Sequence, residues 1–145
     1  MQDILLSAKN IFIGFEMPYA WRLATPLNVN EMARAAQMVV GTHDFRAFMS
    51  AGSDMEDTVR TVQFFHVTRS GEDILFHICA DGYLYNMVRI LVGTLVEVGA
   101  GRMVAEKMAD VLKSGNRSLA GDTVPAKGLF LYKVHYPDEG KKKEL

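Results

Sequence analysis

Long apolar runs are missing from this sequence. No uninterrupted stretch reaches the roughly 18 residues that would span a bilayer. Cysteine is nearly missing too. A single Cys79 can form no internal disulfide, which sets aside a stapled secreted scaffold and fits a reducing compartment. Net charge is almost absent, since 16 basic and 17 acidic residues leave −1. A domain held on nucleic acid by bulk charge alone is therefore excluded, and any RNA contact must rest on a few well-placed cations. No internal repeat or low-complexity tract occurs, and 49% hydrophobic with 23% charged residues is globular composition. The first fifteen residues carry no basic run ahead of their apolar stretch, so they read poorly as a signal peptide. The expectation is a cytoplasmic protein with no membrane partner. No Walker loop, GxGxxG, HExxH or GxSxG motif is present.

What is there suffices for one core: a chain of 145 residues buries roughly 68–70% of its unfolded surface. Ile4 to Phe15 is apolar and β-branched and reads as a strand. Pro18 and Pro26 bracket an extended segment, Tyr19 to Arg22. Asn28, with Glu31 three residues later, opens a helix that Gly41 closes after Val40. Thr42 to Ser53 reads as a loop. Val59–Arg69 and Ile74–Ala80 form a hairpin around Ser70-Gly71-Glu72-Asp73, with Ile74, Phe76 and Ile78 on one face. A second helix spans Leu84 to Val98 and ends at Gly99 and Gly101. A third puts Val104, Met108, Val111 and Leu112 on one face and stops at Gly115. After a loop over 116–128, Leu129 to Tyr136 reads as a last strand, and the lysine-rich end, residues 138–145, as a solvated tail. The order (β)αββααβ predicts an α+β fold: a mostly antiparallel sheet with helices packed on one face.

The second helix has two unlike faces. Leu84, Met87, Val88, Leu91, Leu95 and Val98 make an apolar stripe that belongs to the core. Tyr85, Asn86, Arg89, Gly93 and Glu97 lie opposite, and that face is not uniformly charged. Arg89 and Gly93 are four apart, hence stacked. Glycine costs about 0.8–1 kcal/mol relative to alanine inside a helix, so Gly93 suggests a gap through which another chain or a ligand approaches the backbone. Two readings of Arg89 stand on spacing alone. It bonds Glu97 or a backbone carbonyl, although Glu97 is more than two turns away. Or it awaits a carboxylate or phosphate supplied from elsewhere, which its planar fork grips bidentately.

The remaining candidates have plainer explanations. His66 and His77 face each other if the hairpin pairs symmetrically, and Cys79 shares a face with His77, but no third ligand has suitable spacing, so no metal is expected. His43-Asp44 is better read as an aspartate bonding loop backbone while Phe45 and Phe48 plug the core than as a general base with its orienter. Arg46, Arg60, Arg69, Arg102, Arg117, Lys127 and Lys133 are candidate phosphate contacts among otherwise solvated cations. Tyr19, Trp21, Tyr83 and Tyr85 could stack on bases, and core packing explains them equally well.

Several of these stretches together resemble one family. Gly41-Thr42-His43-Asp44-Phe45-Arg46-Ala47-Phe48 is similar to the G-x-H-D-F-x-x-F segment of TruA-type tRNA pseudouridine synthases. Residues 81–99, from Asp81-Gly82-Tyr83-Leu84 through Met87-Val88-Arg89 to Gly99, resemble its G-F/Y-L-x-x-M-V-R-x-x-V-G-x-L-x-x-V-G block. Arg117 and then Ala120-Gly121-Asp122-Thr123-Val124-Pro125-Ala126-Lys127-Gly128-Leu129 resemble its R-x-x-A-G-x-T-A-P-A-x-G-L ending, with Val124 where alanine is usual. Agreement runs from about Tyr19 to Pro137, so residues 19–137 form the matching domain and residues 1–18 match poorly. The resemblance implies isomerisation of uridine to pseudouridine in the tRNA anticodon arm, with no cofactor or metal, by an enzyme acting as a homodimer. It implies an aspartate nucleophile in an R-T-D-x-G-V motif and a base drawn out of its stack. Arg89 would pair with that aspartate. Tyr83, Leu129, Gly93 and Asn86 would shape the base pocket, and Arg46, Arg117 and Lys127 would touch RNA. None of the nine aspartates here sits in such a motif. The resemblance is thus to the C-terminal half of such an enzyme, expected to be inactive alone. A non-catalytic RNA-binding or dimerisation domain is the alternative.

Overall fold

The computed structural model describes residues 10–16, 27–50, 55–71, 73–124, 129–131, 134–136 and 141–143. The expected extended segment with Tyr19 and Trp21, the loop prolines and Lys127 lie outside these residues, as do Tyr132 and Lys133. Elements run in the order β1 (Asn10–Glu16), α1 (Val29–Gln37), β2 (Gly41–Asp44), a 3₁₀ turn (Arg46–Phe48), β3 (Val59–Ser70), β4 (Asp73–Ala80), α2 (Met87–Gly99) and α3 (Lys107–Ser114). A second 3₁₀ turn (Arg117–Leu119), β5 (Leu129–Leu131), β6 (Val134–Tyr136) and β7 (Lys141–Lys143) follow. The α+β expectation holds: five strands form an antiparallel sheet ordered β2-β3-β4-β1-β5, and β6 pairs separately with β7.

The core lies between this sheet and the helices. In β4, Ile74, Phe76 and Ile78 are buried, alternating with half-buried Asp73, Leu75 and His77. They share one cluster with Met32, Ala35 and Ala36 of α1 and Ile90, Leu91 and Leu95 of α2. The β3–β4 register shifts between Val62 and Phe64. The extra residue reverses the strand's parity, so Val62 and Phe65, three apart, are both buried. The hairpin is symmetric about its turn as expected, with His66 opposite His77, and Gly71 takes a left-handed φ of 61° there.

Helix α1 begins as the sequence indicates. The Glu31 N–H donates to Oδ1 of Asn28 at 3.1 Å. Glu31 does not return the bond to Asn28; its carboxylate takes Arg34 instead, and Arg34 also reaches Glu106 beside α3. The α-helix stops at Gln37 rather than Val40, because the N–H groups of Met38, Val39 and Val40 bond three residues back.

Four expectations are corrected. The loop after Gly41 opens with a strand: β2 pairs with Val59–Val62 of β3, helped by a 2.7 Å hydroxyl bond between Thr42 and Thr61. Helix α2 begins at Met87, not Leu84, because Asn86 is left-handed (φ 61°) and cannot lie within it. Val104 precedes α3 and is 69% exposed, and Ala105 is buried alongside Met108, Val111 and Leu112 instead. The last strand is two segments with different partners, since β5 pairs with β1 and β6 with β7. β7 lies within the stretch expected to be a solvated tail. Among the described residues, no helix is long and apolar enough to cross a membrane.

Candidate active site

Helix α2 is less two-faced than its sequence suggests. Ile90, Val92, Gly93, Thr94 and Val96 are buried along with the expected stripe, while Val88 is only half-buried. Part of the second face is covered by the chain's own loop at 121–124, which is fastened along the helix at three points. The Gly121 N–H donates to Oγ1 of Thr94 at 2.9 Å, and that hydroxyl donates to the Ile90 carbonyl at 2.8 Å. The Asp122 carbonyl lies so close over Gly93 that a Cβ there would come within 1.8 Å of its oxygen. The Val124 N–H donates to the Arg89 carbonyl at 3.3 Å. The gap at Gly93, expected to admit another chain or a ligand, is filled by this loop, and Gly93 is buried beneath it.

Arg89 is reached from the same loop. Its Nε–H donates to the Val124 carbonyl at 2.9 Å, and Nη1 to Oδ1 of Asn86 at 3.4 Å. A guanidinium has five N–H groups, so three remain without a protein partner among the described residues. Glu97 is not its partner, because Arg102 holds that carboxylate at 3.0 and 2.8 Å and lowers its pKa. The backbone-carbonyl reading of Arg89 is thus met. Asn86 is itself pinned. Its amide donates to the Ser50 hydroxyl at 2.8 Å, and the Ser50 N–H donates to the Tyr85 carbonyl at 3.2 Å. The left-handed turn therefore has both its side chain and its backbone fixed before α2 starts. Tyr85 stands 63% exposed beside it.

Tyr83 sits in the preceding turn, half-buried. Its hydroxyl donates to the Ile78 carbonyl at 3.3 Å, and burial pushes the phenol pKa up. Leu129 opens β5, opposite Phe15 in the register. Arg117 faces inward to its own loop: Nη1 donates to the Gly121 carbonyl at 2.9 Å and Nη2 to Oγ1 of Thr123 at 3.2 Å. Arg46 is exposed, on a turn that packs against the Arg117 turn. Of the other candidate cations among the described residues, Arg60 is bonded to the Asp57 and Val59 carbonyls and Arg69 to the Leu27 carbonyl.

His43, Asp44, Phe45 and Phe48 are all engaged within the fold. Oδ1 of Asp44 accepts from the Thr58 hydroxyl and the Arg46 N–H, and these bonds hold its carboxyl below the ordinary aspartate range. His43 donates from Nε2 to the Val40 carbonyl, so it does not form a pair with Asp44. Phe45 and Phe48 are fully buried. His66 stacks on Phe64, and His77 meets the same ring edge-on, with its pKa lowered by burial and by His66. Among the described residues no group of three His, Cys, Asp or Glu could hold a metal.

The site thus assembles Arg89, Asn86 and the 121–124 loop with its Arg117 clamp. It leaves Tyr83 on the β4 side. Sequence reasoning missed Ser50, Thr94 and the carbonyls of Asp122 and Val124. The one readable signal for them was the glycine at 93 followed by a small threonine, matched by Gly121 in a distant loop.

Comparison with known proteins bears on this arrangement. The sequence profile described as tRNA pseudouridine synthase matches residues 35–137. Among relatives named tRNA pseudouridine synthase A, that from Moorella thermoacetica is 49% identical over 118 residues, covering 81% of this chain and 48% of the relative. That from Thermoanaerobacter sp. is 45% identical over 126 residues, covering 84% and 52%. That from Anoxybacillus flavithermus is 40% identical over 133 residues, covering 92% and 53%. The chain spans about half the length of the curated relatives it matches. The profile takes in both strands of the hairpin, the arginine-bearing helix and the loop fastened to it, so this chain belongs to the tRNA pseudouridine synthase family.

Proposed function

We propose that this chain supplies the C-terminal half of the catalytic cleft of an enzyme that isomerises uridine to pseudouridine in the tRNA anticodon arm. The observation that carries the reading is Arg89: two of its N–H groups are fixed to the Val124 carbonyl and to Asn86, and no carboxylate is paired with it among the described residues. A guanidinium held this way presents a preset fork to an anion. An aspartate nucleophile from an R-T-D-x-G-V motif, which this sequence does not contain, is the anion proposed. Pairing stabilises its charged, nucleophilic form and lowers its pKa. The uridine must leave its stack to be reached. Tyr83, Asn86 and Leu129 are proposed to shape its pocket, and Arg46 and Lys127 to touch phosphates. The active enzyme is proposed to be a cytoplasmic homodimer that needs no cofactor.

The chain by itself should not make pseudouridine. Incubating it with an unmodified tRNA transcript and assaying for the modified base checks this, and turnover by the pure chain refutes it. In a full-length relative, replacing the arginine equivalent to Arg89 by alanine should reduce kcat far more than tRNA affinity. Equal losses would make Arg89 a phosphate contact and favour a non-catalytic RNA-binding role for this half.

A further inference from the structure

We propose that Arg117 is a positioning residue for Arg89, acting through the loop between them rather than on RNA. This rests on the reading of Arg89 as the cleft arginine. The connection is continuous. Arg117 grips the loop at two points, the Gly121 carbonyl through Nη1 and the Thr123 hydroxyl through Nη2. The gripped segment continues through Asp122, seated on Gly93, to Val124, whose carbonyl fixes the Nε–H of Arg89. The Val124 N–H bonds back to the Arg89 carbonyl, so the backbone of residue 89 and its guanidinium are referenced to the same loop residue.

Such a clamp fits the chemistry of the loop. A segment with glycine at 121 has wide backbone freedom, and its carbonyls would otherwise sample many directions. An arginine fork bonding a carbonyl and a hydroxyl two residues apart removes that freedom; a lysine offers one point-like ammonium on a flexible stem in place of two nitrogens held in a fixed plane. The close approach at Gly93 leaves no room for the loop to shift toward the helix, so the clamp and the helix hold it from two sides.

The test is hydrogen exchange at the Arg89 Nε–H of this chain, followed by NMR, with core amides of α2 as reference. In the native chain that N–H should be protected. Arg117→Ala should speed its exchange about tenfold, the effect of losing one net hydrogen bond, while the α2 core amides stay protected. Arg117→Lys should not restore protection. Thr123→Val removes one of the two grips and should give a smaller rise, and it decides the matter if Arg117→Ala fails to fold. Unchanged Arg89 exchange in the folded variants overturns the proposal. In a full-length relative with arginine at both positions, the Arg117→Ala equivalent should lower kcat about tenfold with KM unchanged. A raised KM with unchanged kcat would make Arg117 a phosphate contact and overturn the proposal as well. Faster exchange with intact turnover would uphold the positioning role and refute the catalytic reading of Arg89.

Discussion

Gly93→Ala separates two pictures of helix α2 by the sign of its effect. If the helix face were open at Gly93, alanine would stabilise the chain by about 0.8–1 kcal/mol through helix propensity. The structure demands the reverse. An alanine Cβ at 93 would lie 1.8 Å from the Asp122 carbonyl oxygen and 3.0 Å from its carbon, and neither backbone atom is a flexible end that can swing away. Even the tightest contacts of real side chains, near 3.0 Å, require the loop to lift by about 1.2 Å. That lift pulls apart the Gly121 to Thr94 bond, the Val124 to Arg89 carbonyl bond and the Arg89 Nε bond to Val124. Three bonds at about 0.5–1.5 kcal/mol each, less about 0.8–1 kcal/mol of propensity gained, leave a net loss of about 0.5–3.7 kcal/mol. The melting temperature should fall by roughly 2–11 °C. Thermal unfolding followed by far-UV circular dichroism measures the shift and urea denaturation the free energy, and an unchanged or raised midpoint would refute the loop-over-helix argument.

Other outcomes follow from the same structure. Asp44 has a depressed pKa, chiefly through the Thr58 hydroxyl and then the Arg46 N–H. Its contribution is therefore present above the ordinary aspartate value of 3.8 and is lost as pH falls through the lower folded value. Asp44→Asn should lower the urea midpoint at pH 7, and its curve should converge with that of the parent chain as pH drops below 3.8; a constant gap at all pH values would disprove the carboxylate's role. On α3, Val104→Asp should change stability by no more than about 0.5 kcal/mol because the side chain is exposed. Met108→Ala should cost about 2–5 kcal/mol because it is fully buried. Denaturant titration of the two variants checks the corrected helix face.

The hairpin was legible residue by residue. The period of two puts Ile74, Phe76 and Ile78 on one face, and a turn at Gly71 sets the His66–His77 pairing. The Asn28 cap and the Gly115 stop were readable because capping is local chemistry. Strand β2 was not: four residues, Gly-Thr-His-Asp, have no apolar alternation, and what makes them a strand is the β3 edge beside them. Val104 misled because helical spacing does not say where a helix begins, and α3 begins three residues later.

The same division runs through the site. The sequence alone determined that Arg89 and Gly93 share a helix face, since the helical repeat dictates it, and that Arg89, Gly121 and Arg117 belong to recognisable motifs of one family. Only the tertiary structure decided what those residues touch. Gly93 admits the chain's own Asp122 carbonyl, Arg117 turns inward to the loop, and Arg89 takes its direction from Val124, thirty-five residues away. Such contacts depend on where a loop of no periodicity lands on a helix. That is fixed by steric fit and by backbone hydrogen bonds, which any residue can make and which therefore leave little trace in the order of side chains.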